Sequence, residues 1–517
     1  MILINSASYV IPEFRVEFGK IPPCLMPIGN KKLVELQVSS LKSNLLEPIY
    51  LTLPTSYSLS ADEKDLFSSL NVTLIKVPDN LKLAESILYA LNIAAYDSET
   101  LYLLHGDTLF DDFLCIPDSM LVSSHFQDYN WELEEIDQNI YAWCGFFSFS
   151  RRKEYIKSLA ISQGDFIKSV KSYDESYPLK RLISEDWKDL GHVNTYFSSR
   201  SKLTTQRSFN SLNIDDGVVY KKGEPYFKIE AEYNWFNSIP PDLKKYSPQL
   251  IDFGYNLQGE SYYCLEYLPN VPLNEVYVHG KNSLSYWDNV FNLIDVFLEK
   301  CRKSYTVGDV DDLRGLSSTL FKDKTWDRFV AFSNDNNINL ECDVTVSGTR
   351  LPSLRIIVDT CIEHTSRLPI ISSIMHGDLC FSNILYDSRA SAIKVIDPRG
   401  LGYNNEISIY GDQKYDLAKL LHSIIGLYDY IIAGRYTVNK NSWYDCDIEF
   451  PIDDRVLRIQ SNFMELNLVD NLKLTELIPA TVLLFISMLP LHSDRPDRQF
   501  AMYTNALRLY AQYIHSP

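Results

Sequence analysis

The stretch Ile374–Gly400, IMHGDLCFSNILYDSRASAIKVIDPRG, decides how the second half of the chain is read. It gathers His376, Asp378 and Asn383 into one short segment and sets a second carboxylate, Asp397, beyond two apolar runs. Those runs, 384–386 and 393–396, flank a polar turn and read as the two strands of a short hairpin. A hairpin returns the chain to its starting point, so Asn383 and Asp397 are expected side by side at the mouth of a cleft.

Asn383 and Asp397 offer hard oxygen ligands of the kind Mg²⁺ takes. Asp378 is then placed to orient a hydroxyl or accept its proton. The spacing His-x-Asp-Leu-x-x-x-Asn, with an Asp after the hairpin, resembles the catalytic loop and metal-binding Asp of kinases. Phosphoryl transfer asks for positioning and charge neutralisation more than covalent help, and these residue types supply both.

A nucleotide-binding lobe should precede such a loop, and SFNSLNIDDGVVYKKGEPYFKIEAEYNWFNSIP fits that place. GVVYKK and YFKIE read as two strands joined by the turn GEP. Two residues qualify as the nucleotide-binding lysine, Lys221 at the end of the first strand and Lys228 in the second. The order strand, lysine, helix favours Lys228. The helix is predicted from about Glu230 to Ser238, with Glu232, ahead of Glu230, as the lysine's partner. No GxGxxG is present, so NSLNIDDG is left as the turn over the phosphates. Further on, Glu266-Tyr267-Leu268 follows an apolar strand and precedes a Pro-containing linker, which resembles a hinge whose backbone meets adenine. In GDQKYDLAKLLHSIIG an amphipathic helix with Leu417, Leu420, Leu421 and Ile424 on its buried face begins near Asp416. Asp412 and Asp416 are candidates to anchor the catalytic loop through backbone N–H groups, a plain helix cap being the alternative for Asp412.

On HGDLCFSNILYD, VIDPRG and GDQKYDLAK, residues from about 205 to 517 resemble the aminoglycoside phosphotransferase and choline kinase-like superfamily. The resemblance implies an ATP-dependent kinase acting on a small alcohol, amino alcohol or sugar. Arg399 falls where Asp-Phe-Gly would continue. Its guanidinium suits a phosphate, an anionic acceptor or a structural ion pair. Tyr428, Tyr430, Trp443 and Tyr444 offer material for an aromatic cage around a quaternary ammonium acceptor.

The chain has 517 residues, which makes two or three domains the expectation. With 45% hydrophobic and 13% aromatic residues it reads as well packed. A net charge of −18 argues against non-specific nucleic-acid binding and against an anionic membrane surface. No apolar run reaches spanning length in the sequence, ATVLLFISMLPL reading as a buried helix. The start MILINSASYV has no basic leader and reads as a first strand. Nine scattered cysteines without a CxxC pair read as reduced thiols, and the chain as cytoplasmic.

The first ~200 residues alternate strand and helix in α/β fashion. MILINSA, PIYLTLP, VTLIKVP and TLYLLHGDTLFDD are expected strands. KKLVELQVSSLKSN, DEKDLFSSL and LAESILYALNIAA are expected helices. Ligands of open α/β sheets gather at the carboxyl ends of strands, where Asp107 falls. GKIPPCLMPIGNKKLVELQVSSL, YAWCGFFSFS and DWKDLGHVNTYF resemble sugar-nucleotide pyrophosphorylases and cytidylyltransferases. That resemblance implies Asp107 and Asp189 as a Mg²⁺ pair. The family's glycine-rich phosphate loop is absent from NSASYVIPEFRVEFG. Arg15 is the candidate for the loop arginine, Lys20 is offset from the catalytic lysine, and Lys82 stands where a glycine of the family falls. These three basic residues are the candidates for nucleotide contact.

The sequence therefore implies an α/β nucleotidyltransferase-like domain (Rossmann-like, GT-A type) over 1–200. It is followed by an α+β bilobal protein-kinase-like domain over 205–517, with an N-lobe of about 205–270 and a C-lobe of about 271–517. The boundary is placed in SSRSKLTTQRSF, Ser198–Phe209. The implied cofactors are Mg²⁺, ATP as phosphate donor and a second NTP, CTP first where the acceptor is an amino alcohol. One half would make the phosphate ester that the other activates, as in bacterial surface-polysaccharide (capsule or lipopolysaccharide) assembly. The alternative is a kinase joined to a catalytically inactive binding or regulatory domain. A small-molecule alcohol or sugar is the expected partner, with neither nucleic acid nor membrane insertion.

Overall fold

The computed structural model describes residues 1–94, 98–204, 210–306, 310–402 and 405–515. It divides into two units, Met1–Thr204 with His279–Asn282, and Thr205–Val278 with Ser283–Pro517. The short excursion His279–Asn282 is not announced by the sequence. Lys281 N donates to Phe18 O at 2.7 Å, and Asn282 Nδ2 donates to Glu17 O at 2.9 Å.

The first unit grows from Ile2–Asn5, whose Ile2, Leu3 and Ile4 have no exposed surface. A strand apolar on both faces belongs in the interior of a parallel sheet. It pairs in parallel with Ile49–Pro54 and Leu101–His105, and Ile49–Pro54 pairs in parallel with Val72–Val77. The sheet continues antiparallel through Asn139–Phe149 and Ser119–Ser123, then in parallel to Lys180–Ile183. Helices Leu33–Asn44, Ala61–Ser69 and Leu83–Ile93 make the crossovers.

The expected single strand TLYLLHGDTLFDD is broken. Leu101–His105 stays in the main sheet, while Thr108–Phe110 leaves to pair with Trp187–Asp189. Buried Gln37 holds the break open: its Nε2 donates to the carbonyls of His105, Gly106 and Thr108 at 3.2, 3.2 and 2.9 Å. One side chain shared among three neighbouring carbonyls pins the backbone where it turns from one sheet to the other. Residues 198–204, expected as a polar linker, are the end of the helix Val193–Thr204. The rest of that stretch, 205–209, lies outside the described residues.

The second unit opens with a four-stranded antiparallel sheet in the order Asn210–Asp215, Val218–Gly223, Ser261–Glu266, Leu250–Tyr255. YFKIE is not a strand: the helix runs over Tyr226–Ser238 and buries Ile229, Ala231, Trp235 and Phe236. Pro225, with φ −76° and ψ 143°, stands at the helix N-cap, where its missing N–H costs nothing. Beyond it, the 229/231/235/236 spacing is helical.

Val271–Pro272 pairs with the hairpin that follows Asn383, whose strands Ile384–Asp387 and Ala392–Val395 match Ile384 to Val395. Long helices, among them Leu284–Lys303, Leu354–Arg367, Lys414–Ile424 and Pro496–Tyr513, build the remainder. ATVLLFISMLPL lies in a longer helical run than its sequence suggests. Leu474–His492 has 19 residues, a mean hydropathy of 1.9 and 72% of its apolar window buried, so it serves as a core helix of this unit.

Candidate active site

The second unit's site is assembled on the loop 376–383. Asp416, at the start of Lys414–Ile424, accepts from His376 N at 2.8 Å and Gly377 N at 2.7 Å. His376 is buried, and burial lowers its pKa to about 4, leaving a neutral ring. Its Nε2 faces Ile396 O at 3.0 Å and its Nδ1 faces Asp378 N at 3.3 Å. The proton therefore belongs on Nε2, with Nδ1 accepting. Gly377 has φ +81°, and a Cβ there would stand 2.6 Å from Cβ of Arg399, so no other residue fits without strain. Asp412 makes hydrogen bonds to the strand ahead of this loop and to its own helix start. It accepts from Ile371 N at 3.2 Å and pairs with Lys414 Nζ at 2.6 Å, fixing the strand ahead of it.

Asp378 meets Lys419, whose Nζ lies 2.9 Å from Oδ1. Asn383 Nδ2 donates to Asp378 O at 2.9 Å and to Oδ2 at 3.0 Å. Burial pushes the Asp378 carboxyl up, but the Lys419 charge and hydrogen bond outweigh it and hold its pKa below the usual value. Lys419 escaped the sequence reading. It lies one helical turn after Asp416, the spacing that puts two side chains on one face, and that signal was available.

Asp397 follows the hairpin in the left-handed region, at φ 55°. Its Oδ1 is 3.1 Å from Lys221 Nζ, and that ammonium is also 2.5 Å from Glu232 Oε2. Tyr263 Oη donates to the same Glu232 oxygen at 2.6 Å. Burial works against the Lys221 ammonium, but the two carboxylates raise its pKa. Lys228, favoured in the sequence, is exposed in the first turn of the helix, because that segment is not a strand. Glu230 is engaged elsewhere, accepting from Tyr255 Oη at 3.1 Å.

Of the hinge residues, Glu266 ends its strand, Tyr267 N donates to Gly217 O at 2.8 Å, and Leu268 O accepts from Asn270 N at 2.8 Å. The turn in NSLNIDDG is therefore at the hinge end of the sheet, beside residue 267, and not over Lys221. The opposite end of that strand pair is Asn210 against Gly223, and residues 205–209 before it lie outside the described residues.

The aromatic cage does not form. Tyr430 packs on Tyr277, Tyr428 on His422, and Trp443 on Phe332, Phe500 and Tyr503, while Tyr444 Oη accepts from Asn339 N.

The first unit holds a cavity of about 340 Å³ lined by Asp107, Asp189 and His192 and walled by Trp131, Trp143 and Phe166. The register Thr108 opposite Asp189 brings the two carboxylates together. A Cβ on Gly191 would lie 2.6 Å from Asp107 Oδ2 and 3.4 Å from Asp189 Oδ1. Burial, followed by the Asp189 charge, raises the Asp107 pKa to about 6. Asp189 accepts from Gly191 N at 3.1 Å, His192 Nδ1 at 2.8 Å and Thr195 Oγ1.

The basic candidates stand elsewhere. Arg15 Nε donates to Val10 O, Lys20 Nζ sits over the Tyr9 ring at 4.2 Å, and Lys82 heads the helix Leu83–Ile93 beside Gly164. None of the three lines the cavity.

Donor sets of one Asn and one Asp, or of two Asp, suit Mg²⁺, which fills its remaining positions with phosphate oxygens and water. No cluster of three or more His, Cys, Asp or Glu fit for a metal occurs among the described residues.

The loop, its anchoring helix, the Lys221–Glu232 pair under a four-stranded sheet and Asp397 define a kinase-like fold in the second unit. No family model matches the chain, and no curated protein matches it. Among solved structures the chain is similar to a thermostable mutant of aminoglycoside phosphotransferase APH(4)-Ia in its apo form, at 12% identity, covering 60% of this chain and 94% of that one with a TM-score of 0.35. It is similar to the GDP complex of aminoglycoside 2'-phosphotransferase-IIIa at 12% identity, covering 59% and 89%, TM-score 0.36. It is also similar to HddC from Yersinia pseudotuberculosis at 15% identity, covering 39% and 98%, TM-score 0.29. At these scores the functional reading rests on the site geometry.

Proposed function

We propose that the second unit is an ATP-dependent phosphotransferase acting on a hydroxyl of a small molecule. The observation that carries the reading is the chain of contacts Glu232–Lys221–Asp397, ending beside the Asp378–Asn383 pair. In this reading Lys221 meets the ATP phosphates, Glu232 holds Lys221, and the 266–268 segment borders adenine, with Glu266 and Leu268 on either side of Tyr267. Asn383 and Asp397 hold Mg²⁺, which neutralises charge on the phosphates. Asp378 orients the acceptor hydroxyl. Its oxygen forms the new bond to the γ-phosphorus, the bond to the ADP oxygen breaks, and the proton passes to Asp378. A carboxylate held at low pKa is a weak base, so orientation comes first and proton uptake late. The test is ADP formation across sugars, polyols and amino alcohols with wild type and Asp378→Asn. Near-normal turnover in the variant would sink the assignment.

For the first unit a second reading, nucleotidyl transfer from CTP or another NTP onto the phosphate ester, is favoured by the convergence of Asp107 and Asp189 around Gly191. Two carboxylates in an aromatic cavity repel phosphate unless a divalent cation stands between them, so this reading requires Mg²⁺. It also has to do without Arg15, Lys20 and Lys82. Against it stands a binding module without turnover. Pyrophosphate release with each NTP and a phosphorylated acceptor, abolished by Asp107→Asn, supports transfer. Its absence with every pair leaves the binding module and removes the link to surface-polysaccharide assembly.

A further inference from the structure

Around Tyr415, beside the Lys419–Asp378 pair, the second unit collects positive charge for which few carboxylate partners occur among the described residues. The Tyr415 ring carries the Arg399 guanidinium and the Lys419 ammonium, each 5.9 Å from its centroid. Phe321 packs on the same ring at 5.9 Å and so docks the segment ahead of the Lys324–Asp335 helix against the helix Lys414–Ile424 that anchors the loop. Lys324 and Arg328 are one turn apart on that helix, on one face. Of these four cations only Lys419 has a carboxylate partner, Asp378, among the described residues. Arg328 spends Nη1 on the Ser487 carbonyl at 2.9 Å. Arg399 keeps Nη1 shut from solvent with no hydrogen-bond partner among the described residues.

The protein carries a net charge of −18, so carboxylates were not scarce. Like charges gathered at half-buried positions cost stability unless a counter-charge arrives. Burial first, and then the charges of Arg399, Arg328, Lys419 and Lys228, lower the Lys324 pKa to about 7. In the phosphotransferase reading the ATP phosphates would be met by Lys221 and by a metal ion held at Asn383 and Asp397. The remaining partner at Asp378 is the acceptor.

We propose that the acceptor is itself an anion, a hydroxyl compound whose phosphate or carboxylate group is held by Arg399, Lys324 and Arg328 while its hydroxyl lies at Asp378. This deepens, and rests on, the phosphotransferase reading above. A planar guanidinium suits either anion through paired N–H donors, and the lysine adds a point charge.

Two measurements on the full chain test it. In the first, the donor subsite is filled with MgADP and binding of inorganic phosphate and of acetate is followed by calorimetry. Wild type should bind at least one of them, and which one tells phosphate from carboxylate. Arg399→Gln and Lys324→Met should each weaken binding tenfold or more. Both variants should melt at or above the wild-type temperature without ligand, because repulsion is relieved. No binding of either anion overturns the anion site while leaving the phosphotransferase reading in place. In the second, ADP formation is compared for glycerol against glycerol 3-phosphate and glycerate, and for glucose against glucose 6-phosphate and glucuronate. Expected is a preference of at least tenfold in kcat/KM for a charged member, lost in Arg399→Gln with the KM for ATP within twofold. Preference for neutral members, or a rise confined to the KM for ATP, overturns the inference. ADP formation with no member of either series overturns the phosphotransferase reading and this inference with it.

Discussion

Lys419 Nζ lies 2.9 Å from Asp378 Oδ1, so the carboxylate at the centre of the site is held from a helix as well as by Asn383 of its own loop, which donates to Oδ2 at 3.0 Å. Lys419 stabilises the charged form of Asp378, and removing it lets burial raise the pKa. Lys419→Met should lower kcat and move the acidic limb of the pH–rate profile to higher pH. A purely structural lysine would lower activity at all pH values without moving that limb.

Asp378→Asn keeps the size of the side chain and the Asn383 contact but removes the proton acceptor. Phosphoryl transfer should fall by about 100-fold or more. Binding of MgATP, read by calorimetry, should stay within a few-fold of wild type, because Lys221 and Asp397 are untouched.

Lys221→Met leaves Glu232 and Asp397 facing one another with no cation between them. Removing one partner of a buried ion pair destabilises by about 3 kcal/mol. Denaturant unfolding of the variant should show that loss, and MgATP binding should disappear. Glu232→Gln should cost less, because Asp397 still pairs with the lysine.

Lysine is charged below its pKa, so Lys324, at about 7, is a cation at pH 6 and mostly neutral at pH 8. The charges that face it are Arg328 on its own helix, Arg399 beside the loop, Lys419 on the anchoring helix and Lys228 on the sheet-packed helix. If an anion binds here, kcat/KM for the acceptor should fall as pH rises through about 7, and the fall should vanish in Lys324→Met. Binding at pH 7.5 should take up a proton, visible as a calorimetric enthalpy that changes with the ionisation enthalpy of the buffer.

Gly377→Ala should damage the loop more than its size suggests. The backbone at φ +81° costs about 1 kcal/mol for a residue with a Cβ, and that Cβ has to displace Arg399. Lost activity with a lowered melting temperature is expected; an unchanged protein would mean that Arg399 is free to move.

The loop was legible because its chemistry is contiguous: His376 through Asn383 lie in one segment, and Asp397 follows a recognisable hairpin. Asp416 was legible for the same reason. The lysine was misjudged because YFKIE alternates like a strand, while Pro225 ahead of it starts a helix. Lys324 and Arg328 carried no signal. Their relation to Asp378 is made by the packing of Phe321 on Tyr415, a contact across a long sequence separation. In the first unit the alternation of apolar runs gave strands and helices, but the break at Gly106 depends on Gln37, a polar residue in the middle of a helix that reads as ordinary surface. Arg15, Lys20 and Lys82 rest on family position alone, Arg15 within a segment that lacks the family's glycines, Lys20 offset from the family's lysine and Lys82 on a glycine position of a separate segment, and none of them lines the cavity.

Tyr263 closes the contacts around Lys221 from behind, donating to the oxygen of Glu232 that faces the ammonium. In regulated kinases the lysine–glutamate pair has to be brought together before turnover begins, and control acts on that step. Here the sheet residue Tyr263 and the helix residue Glu232 already lock it. In the phosphotransferase reading, the lysine–glutamate pair is assembled before either substrate arrives.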